Sequence, residues 1–407
     1  MTPVTKQKMP RGGGAASPEP DLGAAFRLVM RLMALRGTSG QERAVADFVT
    51  ERLREGGATA KAIQFDDAHR KSPLRGEVGN LYFSLGGTLR GPRRLLMAHL
   101  DTVPLCVGCK PVRKGERVVS ADPHTGLGAD DRAGCAVILT AALEILRRKL
   151  PHPPLTFLWP VQEEVGLHGA RLARLSKLGK PRLAFNWDGG PAEKLTIGAT
   201  GAFRMTFEVE GLASHAGGAP EQGVNAITIA GLAIAELERK GWLGDIRKDG
   251  RHGTSNIGVI QGGAATNVVT DHVKLRAECR SHDGTFRKQI LTAFEDAFQR
   301  AAAAVKNVAG AGGKVRMESQ LDYDSFRLAD REPCVLAAEA AVRATGAEPL
   351  RAITNGGLDA NWLTARGIPT VTLGCGQQSV HTTAEQLDIA AFERACRIAL
   401  RLATAAD

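Results

Sequence analysis

Short apolar runs alternate with helical periodicity along most of the chain. The runs predict buried strands at residues 81–85, 95–98, 155–161, 184–187 and 370–373. Apolar positions spaced three and four apart predict helices over residues 22–57 and 132–149. Strands that alternate with helices are typical of an α/β layer with a largely parallel sheet, so this is the fold class that we expect.

The pattern changes between residues 199 and 316. In chain order it predicts a strand at 203–210, a helix at 222–240, strands at 254–260 and 272–280, a helix at 284–305 and a strand at 314–319. This β-α-β-β-α-β order is that of a ferredoxin-like unit. We therefore predict a three-layer α/β domain, formed by residues 21–198 and 317–407, which is interrupted by an α+β domain at residues 199–316.

The composition is that of a globular protein, with 43% hydrophobic and 24% charged residues among 407. Residues 1–20 are rich in Gly, Pro and basic residues and lack the apolar core of a signal peptide, so we expect a disordered tail on a cytoplasmic protein. No apolar run has the length of a membrane span. The odd count of 7 cysteines favours reduced thiols, and the pair Cys106 and Cys109 is weak evidence for a metal or redox site.

The net charge of +10 raises the question of a nucleic-acid or membrane partner. The charge is spread evenly, since residues 199–316 hold 15 basic and 12 acidic residues, close to the excess per residue elsewhere. With only 2 tyrosines, the chain also lacks an aromatic platform for stacking bases. We expect neither partner, although a non-catalytic binder of polyanions remains a remote alternative.

Residues that can bind metals follow the predicted strands. They are His99 and Asp101, Glu163 and Glu164, Asp188, His381, and the pair Asp130 and Asp131 in front of a helix. In open α/β sheets the carboxyl ends of the strands face the ligand crevice, so these side chains can converge. Histidines and carboxylates form a nitrogen and oxygen ligand set that suits zinc, with manganese or cobalt as alternatives.

Each of these residues also has an ordinary structural interpretation. Asp130 and Asp131 are good helix caps, Glu163 and Glu164 suit a solvated loop, and His99 suits a buried structural position. Five separate positions with ligand-type residues are harder to explain in this way, so the repetition favours a metal site.

Successive motifs then resemble a known family. They are His99-Leu-Asp-Thr-Val-Pro, Gly128-Ala-Asp-Asp-Arg-Ala-Gly, Glu163-Glu-Val-Gly-Leu-His-Gly-Ala, Asp188-Gly-Gly, Gly356-Gly-Leu-Asp-Ala-Asn, Gly367-Ile-Pro and His381-Thr-Thr-Ala-Glu. Their order resembles that of the co-catalytic dizinc exopeptidases and amidohydrolases, which include peptidase T, glutamate carboxypeptidase, aminoacylase and succinyl-diaminopimelate desuccinylase. The resemblance covers nearly everything after residue 25.

The resemblance implies two zinc ions bridged by Asp130. His99 and Asp188 would complete one site, and Glu164 and His381 the other. Asp101 would orient the His99 imidazole, and Glu163 would be the general base. The family also has a cis peptide bond after the bridging aspartate, here between Asp130 and Asp131.

The resemblance also implies that the inserted domain is a lid through which two chains form a homodimer. His215 would reach the substrate of the partner subunit and stabilise the oxyanion. Asn267 and Arg280 would bind the end of the substrate, because a guanidinium matches a carboxylate. Asn355 and Asp359, in the glycine-rich turn, would line the pocket.

Residues 198–227 look most like peptidase T, which favours an aminopeptidase that acts on tripeptides or other short peptides. The same ligand set also serves carboxypeptidases and hydrolases of N-acyl amino acids, so those activities remain alternatives. A metal-binding relative without catalytic activity is a further one. The scissile bond, the natural substrate and the physiological metal are left open by the residues themselves.

Overall fold

The computed structural model describes residues 18–405. The tail expected at residues 1–20 therefore lies almost wholly outside the described residues. The helices are α1 (Leu22–Met33), α2 (Arg43–Glu55), α3 (Ala68–Lys71), α4 (Ala129–Arg148), α5 (His168–Leu172), α6 (Ala226–Arg239), α7 (Gly284–Ala304), α8 (Pro333–Arg343), α9 (Asp359–Ala365) and α10 (Ile389–Thr404). Within residues 18–405, no helix combines the length and apolar character needed to cross a membrane.

The strands form three sheets. In chain order they are β1 (Ile63–Phe65), β2 (Leu81–Leu85), β3 (Arg94–Met97), β4 (Pro111–Lys114), β5 (Arg117–Ser120), β6 (Leu155–Trp159), β7 (Leu183–Trp187), β8 (Lys194–Ala199), β9 (Gly201–Glu210), β10 (Gly244–Lys248), β11 (Arg251–Gly262), β12 (His272–Ser281), β13 (Lys314–Tyr323), β14 (Phe326–Arg327), β15 (Leu350–Thr354), β16 (Thr370–Leu373), β17 (Gln377–Gln378) and β18 (Gln386–Asp388).

The largest sheet has the order β1-β2-β6-β3-β7-β16-β8-β14, and β15 also pairs with β8. Its centre, β6-β3-β7-β16, is parallel, whereas β1, β2 and β14 pair antiparallel. The four central strands are buried along their whole length because helices cover both faces. The helices α1, α4, α8 and α10 pack on one face, and α5 and α9 on the other. The predicted α/β class with a mostly parallel sheet is confirmed.

The inserted domain is a five-stranded antiparallel sheet with the order β10-β11-β12-β9-β13. Without β10, this is the strand order of a ferredoxin-like unit. Buried and exposed residues alternate along its strands, as in β12, where every second residue is buried. The buried side chains are apolar and pack against α6 and α7. The predicted ferredoxin-like order is therefore present, with one additional strand at the edge.

Three expectations about the elements were wrong. The single helix expected over residues 22–57 is two helices joined by a loop. Hydrogen bonds hold this loop against the rest of the domain, because the carbonyl oxygen of Gly37 accepts from the backbone N–H of Thr102 and from Arg132 Nη2. The strand β10 was missed because it is short, half charged and at an edge. The last strand of the inserted domain was expected to end at residue 319, whereas β13 continues to Tyr323.

Candidate metal centre

Parallel pairing brings His99 and Asp188 to the same edge of the large sheet. β3 and β7 are neighbours in which Met97 lies opposite Asn186, so the residues that follow both strands emerge side by side. The start of α4 approaches this edge closely, because a Cβ on Gly134 would lie 2.5 Å from the carbonyl oxygen of Trp187. This close packing places Asp130 at the ends of the strands.

Five predicted ligands form two groups that share Asp130. The ligand atoms of His99, Asp130 and Asp188 lie within 4.8 Å of one another, and so do those of Asp130, Glu164 and His381. His99 Nε2 is 3.3 Å from Asp130 Oδ1, and His381 Nε2 is 3.3 Å from Asp130 Oδ2. One carboxylate therefore presents one oxygen to each group, which is the geometry of a bridge.

The groups fit divalent cations by their chemistry as well as by their spacing. Each combines an imidazole nitrogen with carboxylate oxygens, the donor set of zinc and of its first-row neighbours. Asp130 Oδ1 is buried and makes no hydrogen bond. The side chains of Glu163 and Asp188 also have no hydrogen-bond partner described in residues 18–405, as expected of groups that wait for a metal or a water.

Asp101 contacts several residues of the centre. Its carboxylate is fully buried and accepts hydrogen bonds from Ser39 Oγ at 2.6 Å and from the backbone N–H groups of Glu163 and Glu164 at 3.0 and 3.2 Å. His99 Nδ1 lies 3.4 Å from Asp101 Oδ1 and 3.1 Å from the backbone oxygen of Asp101. Asp101 thus contacts the imidazole nitrogen that faces away from Asp130, and its carboxylate fixes the backbone of the two glutamates.

Asp131 has the capping role considered for both aspartates. Its Oδ1 accepts from the N–H of Gly134 and its Oδ2 from the N–H of His99, at 3.1 Å each. The peptide bond between Asp130 and Asp131 is cis, as the family resemblance predicts. The two neighbouring carboxylates consequently serve different purposes, since Asp131 joins α4 to the strand end while Asp130 faces the two groups.

Glu385 holds the loop in front of Asp130. It is buried, and its carboxylate accepts the N–H groups of Leu127, Gly128 and Asp130 at 2.8, 2.7 and 3.0 Å. Sequence reasoning gave this residue no role. Its position in the motif after His381 was the one available signal, and nothing in the spacing showed that it reaches back to α4.

The charged groups of the centre shift one another's pKa values. Hydrogen bonds that His381 donates to the carboxylates of Asp130 and Glu164 raise the pKa of this imidazole to about 10. Burial and the neighbouring Asp130 raise the pKa of Asp188 to about 7, and burial raises the pKa of Glu163 well above its ordinary value. A crevice with this excess of carboxylates is unfavourable by itself, and divalent cations would relieve it.

Two predicted substrate residues meet in the inserted domain. His215 pairs with Val268 in an isolated bridge, and the carbonyl oxygen of Asn267 accepts the N–H of Ala216 at 2.9 Å. His215 Nδ1 accepts the N–H groups of Gly217 and Gly218 at 3.1 and 2.9 Å, so its proton resides on Nε2. The described hydrogen bonds of His215 and Asn267 do not reach the two ligand groups.

The other predicted substrate residues differ in their surroundings. Arg280 is held by Glu278 through two bonds of 3.0 Å, from Nε and Nη2, which leaves Nη1 open. Asn355 is exposed, and its Oδ1 accepts from His282 Nε2 at 3.0 Å. Asp359 is buried. The pairing of Arg280 with Glu278 was not foreseen, because alternation along β12 places both on one face without showing which residues bind each other.

Cys106 and Cys109 lie beside the centre as buried free thiols. Cys106 Sγ is 3.7 Å from Glu385 Oε2, and burial raises the pKa of both thiols. Neither cysteine belongs to the two ligand groups found among residues 18–405.

Comparisons with known proteins agree with this geometry. A model of the peptidase dimerisation domain matches residues 197–306, and a model of peptidase family M28 matches residues 80–224, the stretch that carries His99, Asp130, Glu164 and Asp188. YqjE of Bacillus subtilis is 34% identical over 313 residues, which are 77% of this chain and 80% of YqjE. Carboxypeptidase G2 of a Pseudomonas species is 30% identical over 333 residues, 77% of this chain and 73% of that enzyme.

The fold as a whole matches a crystal structure of a tripeptidase from Staphylococcus aureus. The TM-score is 0.84 at 28% sequence identity, over 95% of this chain and 99% of the tripeptidase. The fold and the relatives thus define a metallopeptidase, a hydrolase of the exo type. More particularly, the chain belongs to the M20/M28 family of co-catalytic metallopeptidases.

Proposed function

We propose that this protein is a dizinc aminopeptidase that removes the first residue of tripeptides and other short peptides. The observation that carries the proposal is the sharing of Asp130 between two ligand groups, one of which contains Glu164, the neighbour of Glu163 in the chain. The match to the Staphylococcus aureus tripeptidase over nearly the whole chain favours a short peptide as substrate. The identity to carboxypeptidase G2 supports a second candidate, a carboxypeptidase that uses the same site.

The proposed assignment gives each residue one task. His99 and Asp188 would hold one zinc ion, Glu164 and His381 the other, and Asp130 both; cobalt or manganese would fit the same donors. Two such ions polarise a scissile carbonyl and lower the pKa of a shared water.

Glu163 then accepts the proton of the attacking water and delivers it to the leaving amine. Its raised pKa suits a group that must both take and give a proton near neutrality. Arg280 offers its open Nη1 to a substrate carboxylate, while Asn267 and Asn355 contact the remainder of the peptide.

We further propose a homodimer formed through the inserted domain, here taken as residues 199–323. This domain exposes Leu212, Ile227, Leu232, Ile260 and Val268, which are between 41% and 52% accessible. The match of residues 197–306 to a peptidase dimerisation domain supports an interface on this domain, and exposed apolar side chains are the kind that a second copy would cover. In the dimer, His215 of the partner subunit would point its Nε2–H at the oxyanion.

A matched pair of variants tests the proposal. Glu163→Gln is expected to keep two metal ions per chain and to lose turnover by at least ~100-fold, since it removes only the base. Glu164→Gln removes a ligand and should lower the metal content as well. Turnover on free tripeptides, on peptides with C-terminal Glu and on N-acetyl amino acids identifies the substrate class, and hydrolysis of only the last class would refute the peptidase assignment.

A further inference from the structure

Asp359 lies next to the centre without belonging to either ligand group. It is the first residue of α9, which packs against α5 and β16. The loop with Glu163 and Glu164 leads directly into α5, and β16 pairs with β7, the strand that Asp188 follows. Both neighbours of α9 therefore connect it to the reacting end of the sheet.

The carboxylate of Asp359 is buried and has no partner. Its residue is 1% exposed, and neither oxygen makes a hydrogen bond. Among residues 18–405, no other carboxylate has both of its oxygens buried in this way without a partner. Burial, with the charges of Asp188 and Asp101 added and that of His99 opposed, raises its pKa to about 8.

The other carboxylates of the crevice each have a partner or a task. Asp101, Asp131 and Glu385 accept at least two hydrogen bonds each, and Asp130 and Glu164 face histidines. An unpaired carboxylate in such a place is strongly unfavourable unless a cation or a proton joins it. The raised pKa allows a proton to neutralise Asp359, and a cationic group that enters the crevice can take the place of that proton.

We propose that Asp359 receives the free α-ammonium group of the substrate and thereby selects peptides with an unblocked amino terminus. This inference rests on the proposed aminopeptidase function and sharpens it. Every unblocked peptide carries such an ammonium group, whose pKa is about 8 in solution. An N-acyl group is neutral, so a blocked peptide would leave Asp359 protonated and would lack the ion pair that stabilises the unblocked peptide.

The test compares one tripeptide sequence in three forms: free, N-acetylated and C-terminally amidated. The wild-type protein is expected to prefer the free form to the acetylated form. The amidated form, compared with the free form, shows how much recognition of the C-terminal carboxylate contributes. In Asp359→Asn, the ratio of kcat/KM between free and acetylated peptide should fall by about 100-fold, as for other lost partners of buried charges. Asp249→Asn, at an exposed turn residue with φ 51°, is the matched control.

The possible results separate this inference from the proposed function. An equal loss on both peptides, or an unchanged ratio in a variant that still cleaves free tripeptides, overturns the role of Asp359 and leaves the aminopeptidase standing. A wild-type protein that cleaves only acetylated substrates overturns both.

A second measurement needs no variant of Asp359. Leucinamide and N-acetyl-leucinamide are compared as competitive inhibitors of the wild-type protein. Inhibition by the free amine alone supports the inference, because the two compounds differ in the cationic group. Equal inhibition by both compounds contradicts it.

Discussion

Replacing Glu385 by glutamine tests whether the loop in front of Asp130 is held for the sake of metal binding. The change keeps the shape of the side chain but leaves one oxygen where there were two. If that oxygen continues to accept from Leu127 and Gly128, the new NH2 group faces the N–H of Asp130. One charge-assisted hydrogen bond is lost, and two buried donors, the N–H of Asp130 and the new NH2 group, are left facing each other.

The structure sets the size of the effect. A hydrogen bond to a charged group contributes about 1.5–3 kcal/mol, and a buried unsatisfied donor costs about 1–3 kcal/mol. Part of this free-energy cost destabilises the protein equally with and without metal. The other part displaces the shared ligand Asp130 and weakens metal binding. We therefore expect metal affinity to fall by ~10–100-fold, the usual range for residues that support ligands.

The assay is a competition titration with a chelator of known affinity, followed by elemental analysis. Glu348→Gln is the control, because its side chain is 89% exposed and the substitution makes the same change of charge. If Glu385→Gln binds two metal ions as tightly as the control, the loop does not transmit the contact to Asp130 and the reasoning is refuted.

Three other predictions concern the same centre. Asp101→Asn should lower kcat by ~10–100-fold with both metals bound, because an amide cannot accept all of the bonds from Ser39 and the two glutamate N–H groups; activity equal to wild type would contradict it. Metal binding at pH 7 should release protons and tighten as the pH rises, because the raised pKa values of His99, His381 and Asp188 favour their protonated forms until a metal binds; titration heats that do not depend on the ionisation enthalpy of the buffer would exclude this. Leu232→Glu should give a monomer by light scattering that keeps its metals but loses turnover, since His215 would act across the interface; an active monomer would show that it does not.

The sequence predicted the α/β fold and its inserted domain because both depend on local patterns. The central strands are buried on both faces and are therefore continuous apolar runs, and the inserted strands alternate because one face is exposed. The break between α1 and α2 was missed, although Gly37, Ser39 and Gly40 between the two helices are typical of a loop. Contacts of Gly37 with residues distant in the chain hold the conformation of this loop.

The candidate ligands could be named from the sequence because each follows a strand or precedes a helix of a parallel sheet. Partnerships between side chains were harder to foresee. Glu385 and Asp130 are 255 positions apart, and no periodicity relates them. The proton on Nε2 of His215 likewise depends on two backbone N–H groups whose direction is set by a turn.

The partnership of Glu385 with the Asp130 loop has a consequence for biosynthesis. The ribosome delivers the chain from its amino end, so His99, Asp130, Glu164 and Asp188 emerge long before His381 and Glu385. Until the last of these has docked, three N–H groups of the loop lack their acceptor and the second ligand group lacks its imidazole. Metal loading of the second group therefore waits until residues 381 and 385 have emerged, and a nascent chain stalled before residue 381 would present only the first group to the cell's metal pool.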